Sequence, residues 1–89
     1  MVTDIDIAIG KRIRRRRMQL GLSQHEVASA AGVRFQQIQK YECGGNRIAA
    51  SRLWLVAQAL DTSVSFFFEG LTPLAKTTAD APSRERRPA

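Results

Sequence analysis

An all-α fold is predicted for this chain, and three observations predict it. Apolar residues recur at intervals of three and four. Serine and glycine mark the starts and stops of the segments so defined. No stretch alternates with period two for long enough to make a strand. Five short helices follow, packed as one compact domain over residues 1–70.

The first helix is predicted from Asp4 to Leu20. Ile5, Ile9 and Ile13 recur every four residues, Arg17 and Leu20 continue the stripe, and Gly21 ends it. Asp4 and Asp6 lie in the first turn and the arginines nearer the end, the order a helix dipole favours. Ser23 and Glu26 have the spacing of a capping box, so a second helix opens there. It turns Val27, Ala28 and Ala31 inward and stops at Gly32, a residue free to take positive φ. After Val33 a third helix is predicted from Phe35 to Cys43. Ile38 and Tyr41 are its apolar residues, Gln36, Gln37, Gln39 and Lys40 are polar, and Gly44 and Gly45 end it. The fourth runs from Ala50 to Leu60 with Leu53, Val56, Ala57 and Leu60 inward, and Asp61-Thr62-Ser63 breaks it. Val64 to Glu69 form a short fifth helix closed by Gly70.

Beyond it the composition changes. Residues 71–89 carry Pro73, Pro82 and Pro88, many small polar residues and almost nothing apolar after Leu74. Such a segment buries too little surface to offset its ordering entropy, so a disordered basic C-terminal tail is expected.

Charge is distributed unevenly. Residues 11–52 hold ten Lys or Arg against Glu26 and Glu42, whereas residues 1–10 and 53–70 are each acidic by two. A net charge of +6 with a pI near 10.8 favours a polyanionic partner. The run Arg14–Arg17 reads mainly as a solvated helix face. Binding to an acidic membrane surface is set aside, because the apolar stripe of that helix is needed for the core.

Several function classes are excluded on residue types alone. Cys43 and His25 are the only residues of their kinds, so neither an intramolecular disulfide nor a four-ligand Cys/His metal site is available. Cys43 is read as an inert small residue rather than a redox switch, and His25 as a surface residue. No nucleophile with its base, paired carboxylates or phosphate-binding loop appears, so no enzyme, cofactor or metal is expected. With no apolar run near about 18 residues and no leading signal peptide, a cytoplasmic location is expected.

Two short helices joined through a glycine-containing turn, with a polar face on the second, have the geometry that carries a recognition helix into the DNA major groove. Over residues 8–70 the chain resembles the Cro/phage-repressor type of helix-turn-helix domain found in bacterial and phage regulators. Its most specific matches are GLSQ at 21–24, the Ala28–Gly32 spacing, Gly32-Val33, Ile38, and Tyr41-Glu42 before a glycine. The resemblance implies a repressor-like DNA-binding domain whose helix-turn-helix is formed by helices 2 and 3. It implies sequence-specific binding of double-stranded DNA as a transcriptional regulator, by a dimer on an inverted repeat. A second role known for such domains is an antitoxin or protein-bridging module.

The resemblance also implies roles for positions. Phe35, Gln36 and Lys40 match positions facing base edges, with Gln37 beside them. Gln24 matches a position holding a phosphate. Arg47 matches a basic loop position touching the DNA backbone, and Asn46 next to it is assigned to the same backbone. Arg17 and Glu42 match an internal ion pair between the first and third helices. The chemistry of the residues agrees: glutamine pairs with adenine N6 and N7, and lysine donates to guanine O6 and N7. Gln36 and Lys40 are four apart and share a helix face, whereas Gln39 points elsewhere, toward solvent.

Three positions depart from the family pattern. Arg34 replaces a capping Ser or Thr, at a cost of about 1 kcal/mol. Either a phosphate or base contact offsets that cost, or Arg34 is a tolerated surface residue. Ala49 also occupies a cap position, with no offsetting use. Arg16 stands where an apolar residue is usual; its stem covers the core with the head in solvent, or the first helix is slightly rotated. Phe66, Phe67 and Phe68 lie about 100° apart on a helix, so one or two close the core and at least one is exposed. In related domains this region contributes to dimer contact, and a homodimer through Phe66, Phe67 and Phe68 is therefore expected.

Overall fold

A computed structural model describes residues 2–71. It contains four α-helices: α1 (Asp4–Gln19), α2 (Gln24–Ala31), α3 (Phe35–Glu42) and α4 (Ala50–Ala59). A 3-10 helix, Val64–Phe68, follows α4. The described residues contain no strand. The predicted disordered tail lies outside the described residues, apart from Leu71.

Five α-helices were expected and four are present; the fifth element winds more tightly. The Phe66 N–H donates to the Ser63 carbonyl at 3.2 Å, and the Glu69 N–H to the Phe66 carbonyl at 3.3 Å. Three residues per turn bring Val64 and Phe67 into line, and both turn inward. Phe67 is fully buried. Phe66 is half-buried with its ring edge-on to that of Phe67, and Phe68 is exposed. Removing a phenylalanine side chain from water contributes about 1.5–3 kcal/mol, so the tight turn is held by what Phe67 buries.

The starts of α1 and α2 are set by local chemistry. The Thr3 hydroxyl accepts the Asp6 N–H at 3.2 Å while Asp6 Oδ2 accepts the Thr3 N–H at 2.8 Å. This capping box was not anticipated, although Thr3 and Asp6 have the required spacing. The Ser23–Glu26 box opens α2 in the same way, with bonds of 3.0 and 2.7 Å. Gly32, at φ 71°, ends α2 in the left-handed conformation.

The backbone N–H of Thr3, then its hydroxyl, hold the Asp6 carboxyl below its ordinary pKa, with Arg47 adding a smaller push. A carboxylate with a depressed folded pKa stabilises fully above its unfolded value of about 3.9, and that contribution fades as pH falls through the folded pKa. Acid titration followed by circular dichroism is therefore expected to show α1 loosening below about pH 4. Asp6→Asn removes that part of the acid transition; an unchanged transition contradicts the assignment.

The core is formed by Ile9 and Ile13 of α1, Val27, Ala28 and Ala31 of α2, Ile38 and Tyr41 of α3, and Leu53, Val56, Ala57 and Leu60 around α4, with Phe67 closing it. The stripe predicted along α1 is only partly used: Ile5 is 43% exposed and Leu20 39%. With 16 residues against 8 in each of α2 and α3, α1 is about twice their length, so its ends are not covered throughout. Gly10 sits in the middle of α1, where the Tyr41 carbonyl oxygen occupies the place of a side chain. That absent side chain sets how closely α1 and α3 approach.

Arg16 does more than cover the core. Its Nε donates to the Leu60 carbonyl at 2.9 Å and its Nη2 to the Asp61 carbonyl at 3.0 Å. A cation thus meets the carbonyl end of α4, where the dipole favours it. Arg12 similarly donates to the Phe67 carbonyl at 3.0 Å. Arg16→Ala leaves those α4 carbonyls to water and is expected to cost about 1.5 kcal/mol, read as a lower urea midpoint. An unchanged midpoint contradicts this.

Candidate nucleic-acid interface

A buried polar anchor fixes α3 against α1 and α2. Glu42, at the end of α3, has a side chain only 3% exposed. Arg17 grips it with two nitrogens: Nε to Oε2 at 2.7 Å and Nη2 to Oε1 at 3.0 Å. The third, Nη1, donates to the Leu22 carbonyl at 2.9 Å. The Gln24 amide donates to Glu42 Oε1 at 3.0 Å. One carboxylate therefore ties the ends of α1, α2 and α3 together, and its hydrogen bond raises the Arg17 pKa above the ordinary value.

With Ile38, Tyr41 and Glu42 facing inward, α3 turns Gln36 and Lys40 to solvent on one ridge. Both are free to reach base edges. The other two residues assigned to bases are engaged differently. Phe35 is half-buried and stacks face to face on His25, with ring centroids 3.8 Å apart. Gln37 is half-buried, and its Oε1 accepts a bond from the Asn46 amide at 3.3 Å. His25 is exposed, as a surface residue, yet one ring face is covered by Phe35 across the turn.

The residues assigned to phosphates lie at the start of α2, at the N-cap of α3 and in the loop after α3. Gln24 lies at the start of α2, where its amide is already engaged with Glu42. Arg34 is the N-cap residue of α3, exposed, and makes no side-chain capping bond. Ala49 leaves α4 equally without a side-chain cap. Arg47 is exposed, with Nε 3.8 Å from Asp6 Oδ2, a loose pair in water that leaves its guanidinium available. Asn46 is half-buried and bonded to Gln37, so it orders the loop after α3.

Two open concavities flank the ridge. One is lined by Arg14, Gln24, Gln39, Lys40, Glu42 and Cys43. The other is lined by Gly32, Val33, Arg34, Gln37 and Arg52. Neither Arg14 nor Arg52 was singled out from sequence, because a lone arginine on a helix face carries no motif. Cys43 is exposed and its thiol lies 3.6 Å from the Lys40 carbonyl. Among the described residues no three His, Cys, Asp or Glu side chains cluster as metal ligands. No helix there is long and apolar enough to cross a membrane.

A short helix pair that presents a polar ridge within a basic surface defines the class of helix-turn-helix domains. The chain belongs to the helix-turn-helix family HTH_3, the Cro/C1 type, whose model matches residues 13–67. Among relatives, an HTH-type transcriptional regulator of Sinorhizobium medicae is 57% identical over 65 residues, covering 73% of this chain and 47% of that protein. A transcriptional regulator from the ATPase CF(0) region of Rhodospirillum rubrum is 51% identical over 67 residues, covering 75% and 62%. The chain thus spans about half the length of the first of these relatives. The restriction-modification controller protein C.AhdI of Aeromonas hydrophila superposes with a TM-score of 0.69 at 27% identity, covering 71% of this chain and 96% of that one. The clp gene regulator ClgR of Corynebacterium glutamicum superposes at 0.71 with 26% identity, covering 74% and 86%.

Proposed function

We propose that this chain binds duplex DNA sequence-specifically through α3 and thereby regulates transcription, as a dimer on an inverted repeat. The observation that carries the reading is the Gln36–Lys40 ridge, solvent-facing on a helix whose far side is anchored by the buried Glu42. Gln36 and Lys40 read bases, with Phe35 and Gln37 at the edges of the same surface. Gln24, Arg34, Asn46 and Arg47 serve the phosphates, Gln24 and Asn46 partly by ordering their neighbours. The names of the matched relatives and of ClgR, all regulators, support the regulatory role. No catalytic step is part of it.

For the dimer, Phe67 is corrected to a core residue, since full burial removes it from any surface. Phe68 and the outer edge of Phe66 remain, and Trp54 on α4 is 55% exposed, so apolar area on these elements is left for a second copy to cover. Recognition helices of such a dimer stand roughly 34–36 Å apart, one turn of DNA.

The test is a selection of fragmented genomic DNA by the purified chain at about 0.15 M salt. Enrichment of an inverted repeat is expected. Retention of fragments with no shared motif overturns the sequence-specific reading. On the enriched site, Gln36→Ala is expected to weaken binding by about 1–3 kcal/mol and to relax the preference at one base pair. Equal weakening on all sequences contradicts base reading by Gln36.

A further inference from the structure

Resting on the DNA-binding reading, we infer that Arg14 of α1 and Arg52 of α4 hold the two phosphodiester strands that form the walls of the major groove, one on each flank of α3. The placement comes from the two concavities. Gln39 lines the one that holds Arg14, and Gln37 lines the one that holds Arg52. Two residues apart on a helix is about 200° of rotation, so these concavities lie on opposite sides of the Gln36–Lys40 ridge.

The dimensions match. A helix with its side chains is about 10–12 Å across, and the major groove is about 12 Å wide. A helix seated there brings a sugar-phosphate backbone against each flank. The Arg52 flank offers a second cation in Arg34, and Lys40 of the ridge borders the Arg14 flank. Arg14 and Arg52 are exposed, and neither has a hydrogen-bond partner among the described residues. Their neighbours Arg12, Arg16 and Arg17 are all spent on carbonyls or on Glu42. Of the arginine run, then, internal bonding consumes one subset, while Arg14 stands over the cleft beside the recognition helix.

The partner is a phosphodiester, which carries charge without sequence. Binding should therefore weaken alike on specific and random duplexes when either arginine is removed. Each phosphate contact adds about 0.9 to the slope of log affinity against log salt. Between 1 M and 0.15 M salt that slope corresponds to about fivefold in affinity.

Fluorescence anisotropy with the full chain, on the enriched site and on a random duplex, tests this across a salt series. Arg14→Ala and Arg52→Ala are each expected to weaken both complexes about fivefold per protomer and to lower the slope by about 0.9. In the double variant the slope changes should add and the fold-losses multiply. Arg15→Ala, removing an exposed charge of α1 that lines neither concavity, should leave the slope unchanged. Thermal melting of the variants should match the parent, since both side chains are unbonded. An unchanged slope in Arg14→Ala or Arg52→Ala overturns the contact for that residue, and a loss confined to the specific duplex reassigns it to base reading.

Neutral methylphosphonate substitutions, one phosphate at a time, locate the contacts. Within one half-site, the position that abolishes the Arg14→Ala effect should lie on one strand, and that for Arg52→Ala on the other. Both on a single strand of that half-site overturns the two-walled arrangement. A parent chain that binds neither duplex overturns the DNA-binding reading itself, an outcome distinct from a variant that binds normally.

Discussion

Arg17→Met is expected to lower the stability of the domain by about 3–5 kcal/mol, the cost of leaving a buried charge without its partner. The Glu42 side chain is 3% exposed and Arg17's is 14% exposed, so solvent does not replace the lost bonds. Methionine fills the same space as the arginine stem, which leaves charge and hydrogen bonding as the difference. Only the Gln24 amide then remains on Glu42. Folded domains have about 5–15 kcal/mol in total, so a large share of the margin is lost. The double variant Arg17→Met/Glu42→Leu should recover most of it, because a well-packed apolar pair replaces a buried ion pair at little or no cost. Urea unfolding of the three variants measures both effects. A single variant as stable as the parent shows that the pair is solvated, and failure of the double variant to recover places the effect in packing.

Gly10→Ala should destabilise by about 3 kcal/mol, although alanine is the better helix former by about 1 kcal/mol. The added methyl would overlap the Tyr41 carbonyl oxygen. A backbone atom inside a helix cannot rotate aside as a side chain can, so α1 and α3 must separate and the contacts between them weaken. In a domain of this size, each kcal/mol shifts the melting temperature by about 4–8 °C. Gly45→Ala is the comparison: its methyl would meet Cys43 Sγ and the Lys40 carbonyl at 3.6 Å, an ordinary contact. Its effect should stay within about 0.5 kcal/mol. Equal melting temperatures for the two variants contradict a close approach at Gly10.

The helices were legible where local chemistry and spacing agree. Ser23, Glu26 and Gly32 bound α2 whatever surrounds it, because their hydrogen bonds and backbone conformation lie within a few residues. The inward faces of α2 and α4 were legible from Val27, Ala28, Leu53 and Val56, since 3.6-residue periodicity maps sequence onto a face. The same periodicity over-read α1. It places Ile5 and Leu20 on the stripe but does not state how long the neighbouring helices are. Phe66–Phe68 showed the limit from the other side. One consecutive triplet fits an α-helix or a 3-10 helix, and burial of Phe67 selects the tighter winding.

The interface divides similarly. Gln36 and Lys40 share a face in sequence and in structure, because four residues is one helical turn. Phe35 and Gln37 did not disclose their partners. His25 lies ten positions before Phe35 and Asn46 nine after Gln37, separations at which no helical rule applies. Arg16 was the least legible residue, since its carbonyl partners at Leu60 and Asp61 are 44 and 45 positions away.

By itself, then, the sequence determined the number and order of segments, the caps of α2, the charge that sets this chain toward polyanions, and the solvent-facing ridge of α3. These follow from bonds and spacings within one or two turns. Tertiary structure alone decided that Arg12 and Arg16 are spent inside the protein while Arg14 and Arg52 stay exposed. It also decided that Gly10 admits the Tyr41 carbonyl, and that Phe67 closes the core while Phe68 does not. The physical reason is common to all three: each depends on the distance between groups far apart in the chain, which packing sets and residue order does not encode locally.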